Sequence, residues 1–241
     1  MGDLFHTLVY LPIYNVLVFF VNVVPGGDLG LAVVGATLVV KFVLLPLSLS
    51  AAKTQREMKI IQPEMKALQE KYKDDKEAQA RAMLALYKEH GVKPFSSILM
   101  LFIQLPVMFG LFFVAQHAAQ TIQAEHLYSF VAMPSTISPL FLGIFSVASS
   151  SVILALLTAA TQFAYAWYAV PIPEKTSSTG EASMGEEFGR SMALSMRTIF
   201  PLLIGVFAYT SGALALYITT GNIFMLAQEF FTRLQGKSLK K

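Results

Sequence analysis

A single lysine inside an apolar stretch constrains this chain more than any other feature. Residues Gly30 to Ser50 read GLAVVGATLVVKFVLLPLSLS, and about 20 apolar residues suffice to cross a bilayer. Lys41 lies well inside that run. A cation at such depth costs about 2.5–3.5 kcal/mol on insertion scales. The chain must therefore supply a wet, polar site for it, or the side chain must snorkel to the headgroups. Lys41 stands about eight residues, roughly 12 Å of helix, from the inner end of its stretch. A lysine side chain covers only part of that distance.

The composition agrees with a membrane solvent. Of 241 residues, 55% are hydrophobic and 14% charged, whereas a soluble domain is about a quarter charged. The fold class expected is an all-α polytopic membrane protein. There are no cysteines, which excludes disulfides, thiolate metal sites and cysteine nucleophiles. The opening MGDLFHT lacks the basic region and small-residue cleavage site of a signal peptide. Either a removed signal precedes it, or the first apolar stretch does the targeting.

Taken in order, residues 1–28 hold an apolar and aromatic segment, Leu4 to Val24, interrupted by His6, Pro12, Asn15 and Asn22. It is long enough to span, or it lies in the interface with Tyr10, Tyr14, Phe19 and Phe20 at headgroup depth. Residues 29–50 are the first expected span. Residues 51–93 turn polar, with Ile61, Met65, Leu68, Tyr72, Met83, Leu84 and Tyr87 at helical spacing. They read as two amphipathic helices, about 51–73 and 76–90, forming a water-side hairpin that Pro63 kinks or restarts. Further spans are expected at 94–115, 150–170, 191–210 and 213–231. Between them lie a polar connector (116–149), in which Pro139 to Ser149 reads as a short surface helix, and a flexible loop (171–190). A short basic tail (232–241) follows. No internal repeat is visible.

Orientation follows from Lys and Arg. Ten lie in 51–93, three in 171–197, four in the tail and one at Lys41, which accounts for all 18. Five spans with the N-terminus outside place the hairpin, second loop and tail in the cytoplasm. A spanning Leu4–Val24 would leave the N-terminus inside with no cation to hold it, so the interfacial placement is preferred.

Polar positions come from four spans: Thr37 and Lys41; Gln104; Thr158 and Gln162, on one face with Thr161 and Tyr165; and Tyr217 and Thr220. Lipid-facing polar groups are costly, so these stripes should face one another. For Gln104, Gln162 and Asn222, an ordinary interhelical hydrogen bond is the competing role. Catalysis is not expected. His117, Glu125 and His126 lack metal-ligand spacing, the serines near 150 lack a base and a G-x-S-x-G motif, and no phosphate-binding loop is present. No metal or cofactor is expected.

Three stretches together carry a resemblance: VVKFVLLPLSLSAAKTQREMKIIQPEMKALQEKYKDD (39–75); LYKEHGVKPF (86–95) leading into LMLFIQLPVMFGLFF (99–113); and FPLLIGVFAYTSGALALYITTGNIFMLAQE (200–229). In this order they resemble the YidC / oxidase-assembly / Albino family of membrane protein insertases, over nearly the whole chain. The resemblance implies five spans around a hydrophilic groove open to cytoplasm and lipid, an outer-surface amphipathic N-terminal helix and a mobile cytoplasmic hairpin. It implies a bacterial plasma-membrane location. The groove and client-binding residues would be Lys41, Thr37, Gln104, Thr158, Gln162, Tyr217 and Thr220. A hydrophobic slide would run along Met108, Phe109, Phe112, Pro201, Ile204 and Phe207. Hairpin residues of interest are Gln62, Pro63, Glu64, Tyr87 and Lys88. The partners implied are nascent membrane proteins and lipids, with a Sec-type translocon and the ribosome left open and no nucleic-acid substrate. Where the family usually has arginine, this chain has Lys41, a compact charge without the bidentate fork. The short tail weakens any ribosome-docking role. Two rivals stand beside an insertase: a small-anion transporter or channel, and a non-catalytic assembly scaffold.

Overall fold

The computed structural model describes residues 2–92, 96–170, 172 and 184–238. Most of the loop expected at 171–190, the junction at 93–95 and the last three tail residues lie outside the described residues. The chain divides into two compact units, residues 1–41 with 108–241, and residues 42–107.

In the larger unit the leading helix α1 (Asp3–Val23) runs through one π-helical turn at His6–Tyr10. Tyr10, Ile13, Tyr14, Leu17, Val18 and Val21 are buried at helical spacing, while Leu4, Leu8, Phe19 and Val23 are exposed. Pro25, Gly26 and Gly27 turn the chain, with positive φ at both glycines, a conformation open to glycine and strained for other residues. A Cβ on Gly27 would also run into the backbone of Thr136. Asp28 then starts α2 (Leu29–Val43) by accepting from Leu31 N at 2.8 Å, an N-cap bond.

The stretch 29–50, read as one span, is broken in the structure. A second helix, α3 (Leu45–Ile60), begins after Leu44 with Pro46 in its first turn. Proline is preorganised for a helix start and cannot donate the bond that would continue the preceding helix.

The smaller unit holds α3, α4 (Gln62–Lys71) and α5 (Lys76–Glu89). Pro63 opens α4, so the helix expected over 51–73 is two. Asp75 caps α5 by accepting from Glu77 N and Ala78 N at 3.1 and 2.9 Å. Ile61, Leu86 and Val92 form a small core, packed against Met58, Met65, Leu68 and Tyr87. Leu84, assigned to the apolar stripe from its spacing, is instead 61% exposed, because the stripe of α5 that packs is centred on Leu86.

Helix α6 (Ser96–Ala118) carries Pro106 within it. After it, the residues expected as a short surface helix form a two-stranded hairpin, β1 (Leu140–Phe141) with β2 (Phe145–Ser146). Leu142 and Gly143 take positive φ in its turn, closed by Ile144 N–H to the Phe141 carbonyl at 3.1 Å. A non-glycine residue in that region is uncommon, and here the Leu142 N–H is held by Asp28 Oδ2 at 2.7 Å.

Helices α7 (Val152–Ala169), α8 (Met184–Ala208) and α9 (Gly212–Ser238) pack together, with α7 against both others. Gly205 of α8 lets the helices close: a Cβ there would stand 2.8 Å from Ala159 Cβ. Among the described residues, Asp3–Val23, Val152–Ala169 and Glu187–Ala208 are long and apolar enough to cross a membrane, and the broken pair at Leu44 makes a fourth candidate. Phe102–Ala118 is a shorter apolar helix.

Candidate functional site

Lys41 sits in the last turn of α2 and is only 6% exposed. It does not reach along its own helix to open surface; its end lies against α9. Nζ stands 5.9 Å from the centroid of the Tyr217 ring, within cation–π range. One turn further along α9, Gly221 leaves room for the Lys41 Cε and Nζ. One turn back on α2, Thr37 is fully buried and its hydroxyl donates to the Val33 carbonyl at 2.6 Å. The structure thus brings Lys41 together with Tyr217.

Thr158, assigned to the groove-facing polar stripe, has another occupation. It is fully buried, and its Oγ1 lies 2.9 Å from Thr219 Oγ1 and 3.2 Å from the Ala215 carbonyl, both on α9. One turn on, Asn222 Nδ2 donates to Thr161 Oγ1 at 3.3 Å. Asn222 thus takes the interhelical role expected as its alternative, and Thr158 is held in the same way. Gln162 and Thr220 are half-buried. Gln104 is half-buried on α6, in the smaller unit.

Of the proposed slide residues, Phe109 and Phe207 are 44% and 42% exposed. Met108, Phe112 and Ile204 are half-buried, whereas Pro201 is buried. The face of α8 turned outward is built by Ile199, Leu202, Leu203 and Val206. On the hairpin, Gln62, Pro63, Glu64 and Lys88 are exposed, and Tyr87 packs on the Ile61 core.

Residues that pattern reading passed over close one end of the larger unit. Asp28 joins α2 to the hairpin turn, and the Leu29 N–H donates to the Ser138 carbonyl at 2.9 Å. Gln116 at the end of α6 donates to Ser211 Oγ at 3.0 Å and to the Ala148 carbonyl at 3.2 Å. Gly212 N and Ala213 N at the start of α9 donate to the carbonyls of Ser149 and Val147 at 2.9 and 2.7 Å. The connector therefore ties the ends of three helices. It also runs along α1: Tyr10 pairs with His117 at 3.0 Å, Tyr14 with Gln123 N at 2.7 Å, and Asn22 with the Ala132 carbonyl at 2.8 Å. Asn15 donates to the His126 carbonyl at 2.9 Å and accepts from Tyr128 N at 2.6 Å. His117 and His126 thus belong to an aromatic contact with α1. Among the described residues, no three His, Cys, Asp or Glu side chains are grouped to hold a metal ion.

At its C-terminal end α7 receives two cations. Arg197 lies over Trp167 at 5.1 Å and donates to the Val170 carbonyl through Nε at 2.7 Å. Arg233 lies over Tyr168 at 4.2 Å and donates to the Tyr168 carbonyl at 2.7 Å. Positive charge at a helix C-terminus satisfies the last carbonyls and opposes the dipole.

Residues 19–238 match the family model described as 60Kd inner membrane protein. The chain is 29% identical to membrane protein insertase YidC 2 of Bacillus anthracis, over 95% of this chain and 80% of that protein. It is 30% identical to membrane protein insertase YidC of Alkalihalophilus pseudofirmus, over 98% and 84% respectively. The crystal structure described as an active YidC insertase with its first transmembrane domain resolved shares the fold, with a TM-score of 0.60 at 23% identity. That likeness covers 95% of this chain and 47% of the other, so this chain spans about half the length of that protein. With the match running from the end of α1 to the end of α9, the chain belongs to the 60Kd inner membrane protein family, the YidC type.

Proposed function

We propose that this chain is a membrane protein insertase that moves short polar tails and apolar segments of client proteins from the cytoplasm into the bilayer. The observation that carries the reading is the buried Lys41 ammonium, held against Tyr217 beside Thr37. A cation in a hydrated intramembrane groove lowers the cost of drawing an acidic or polar tail inward, because opposite charge offsets lost hydration. Thr220 and Gln162, both half-buried, supply further polar surface, while Tyr217 and Thr37 lie buried beside the cation, and Gln104 is a second position at which the client is expected. The apolar segment then leaves for lipid along α6 and α8, past Phe109, Phe112, Ile204 and Phe207, with Ile199, Leu202 and Val206 continuing that face. Burial of apolar area, about 25 cal/mol per Å², and the pull of the membrane potential on a negative tail drive the step without nucleotide hydrolysis.

The arrangement we propose has five spans, at 29–50, 94–115, 150–170, 191–210 and 213–231, in the bacterial plasma membrane. The N-terminus is outside and the hairpin and tail are cytoplasmic. Three observations support it. Arg197 and Arg233 gather at one end of the α7–α9 group. The connector bonds that tie α2, α6 and α9 support a groove closed on the outer side, which favours an insertase over a conducting channel. The connector also follows α1 from Tyr14 to Asn22, as it would a helix lying along the outer surface; a spanning helix would meet it only at one end.

The test is photocrosslinking from position 41 and from position 104 during synthesis of a single-span client with an acidic tail. Crosslinks to the client at both positions are expected. A transporter would instead give solute uptake or current in liposomes and no client crosslinks. A scaffold that only holds finished helices would give crosslinks after release from the ribosome and none during insertion.

A further inference from the structure

Gly221 lies in the interior of α9 with ordinary helical backbone; the positive-φ glycines lie elsewhere. Glycine there costs roughly 0.5–1 kcal/mol relative to alanine, so something must favour the missing side chain. At the other close-packed glycines of the larger unit the neighbour is backbone or an uncharged side chain: Gly27 meets Thr136, Gly30 meets Phe141, Gly35 meets Phe20, Gly110 meets Val9 and Ile13, Gly205 meets Ala159, and Gly212 meets Ser146. Gly221 differs. Among the described residues, the atoms outside α9 within 4 Å of a Cβ built there are Lys41 Cε at 3.1 Å and Lys41 Nζ at 3.4 Å. The Cε distance is tighter than an ordinary contact, and the Nζ distance stands at its near edge. The absent methyl group is thus matched to the cation and to no other group.

We propose that Gly221 is a positioning residue for the Lys41 cation. With the Tyr217 ring one turn away, it makes a seat on α9 sized to the ammonium end of a lysine. The seat fixes where the charge is presented to a client, and so sets the preference for acidic tails. This deepens the insertase reading and rests on it. Substituting Gly221→Ala obliges the Cε–Nζ end to give by a few tenths of an ångström, and since Lys41 is almost fully buried, the charge shifts among packed groups.

The experiment uses the full chain reconstituted in liposomes as wild type, Lys41→Ala, Gly221→Ala and the double variant. Each is given single-span clients whose tails carry either no acidic residue or several. Gly221→Ala is expected to slow acidic-tail clients by about threefold or more and to leave neutral-tail clients at their wild-type rate. It is expected to add nothing on the Lys41→Ala background. Equal slowing of all clients, an additive loss in the double variant, or no effect at all would overturn the role of Gly221. If Gly221→Ala alone fails to fold, Lys41→Ala in the same chain vacates the space and restores the folded protein; failure to restore it overturns the proposal. If Lys41→Ala alone leaves every client unaffected, it is the insertase reading of the cation that fails, and the role of Gly221 falls with it.

Discussion

On one face of α9, Ala215, Thr219 and Asn222 meet α7; on another, Tyr217 and Gly221 meet Lys41. Both sets of residues lie within eight positions of one helix, and both handle polar groups inside a hydrophobic protein. On the α7 side, the Thr158 and Thr219 hydroxyls and the Asn222 amide nitrogen have neutral partners at hydrogen-bond distance, so this polarity holds two helices together. On the Lys41 side the contacts include a ring face and the space left by a glycine, which receive the end of a charged side chain. Polar residues in a span therefore divide by what they meet. Hydroxyl against hydroxyl is a fastener. Cation against ring and glycine is a seat for a charged side chain.

That division can be broken by substitution. Lys41→Ala has the largest expected effect. Insertion of acidic-tail clients falls about tenfold, equivalent to about 1.4 kcal/mol, while neutral-tail clients and thermal stability change little; insertion rates in liposomes measure this. Thr158→Val removes the hydroxyl shared with Thr219 and Ala215. It should destabilise the chain by about 1 kcal/mol, within the range found for interhelical hydrogen bonds, as read by reversible unfolding in mixed micelles. The ratio of acidic to neutral client rates should not move. If that ratio moves as it does for Lys41→Ala, the two faces are not separate. Asn222→Leu has the smallest effect, about 0.6 kcal/mol of stability, again with an unchanged client ratio. A ratio change there would place Asn222 with the cation rather than with Thr161.

Much of this was legible beforehand, and the exceptions have physical causes. Lys41 stood out because a charge in an apolar run has few acceptable explanations. Tyr217 could be nominated as polar surface, but not as the ring beneath Lys41, because that pairing joins residues 176 positions apart. The stripe through Thr158 and Gln162 shows which residues share a face but not which helix that face meets, and Thr158 meets α9. Pro46 was visible, yet whether a proline two residues after Leu44 breaks a span or merely bends it depends on how the two resulting helices pack. The aromatic and serine content of residues 139–149 fits several local structures. The hairpin is selected by Asp28, whose carboxylate holds the Leu142 N–H, and by the backbone of Ser211 to Ala213. Leu84 looked like core at helical spacing, but the small unit has room for only a few side chains about Ile61, Leu86 and Val92.

The sequence by itself determined the solvent, the helical class and the presence of a lysine within an apolar run. Composition, apolar run length and charge placement act through transfer free energies that do not depend on partners. Only the tertiary structure decided which polar groups fasten helices, which glycine makes room for the cation, and how the connector ties the ends of α2, α6 and α9. Those outcomes rest on hydrogen bonds of 2.6–3.3 Å and on contacts that a single methyl group would disturb. Geometry of that kind is set by residues far apart in the chain.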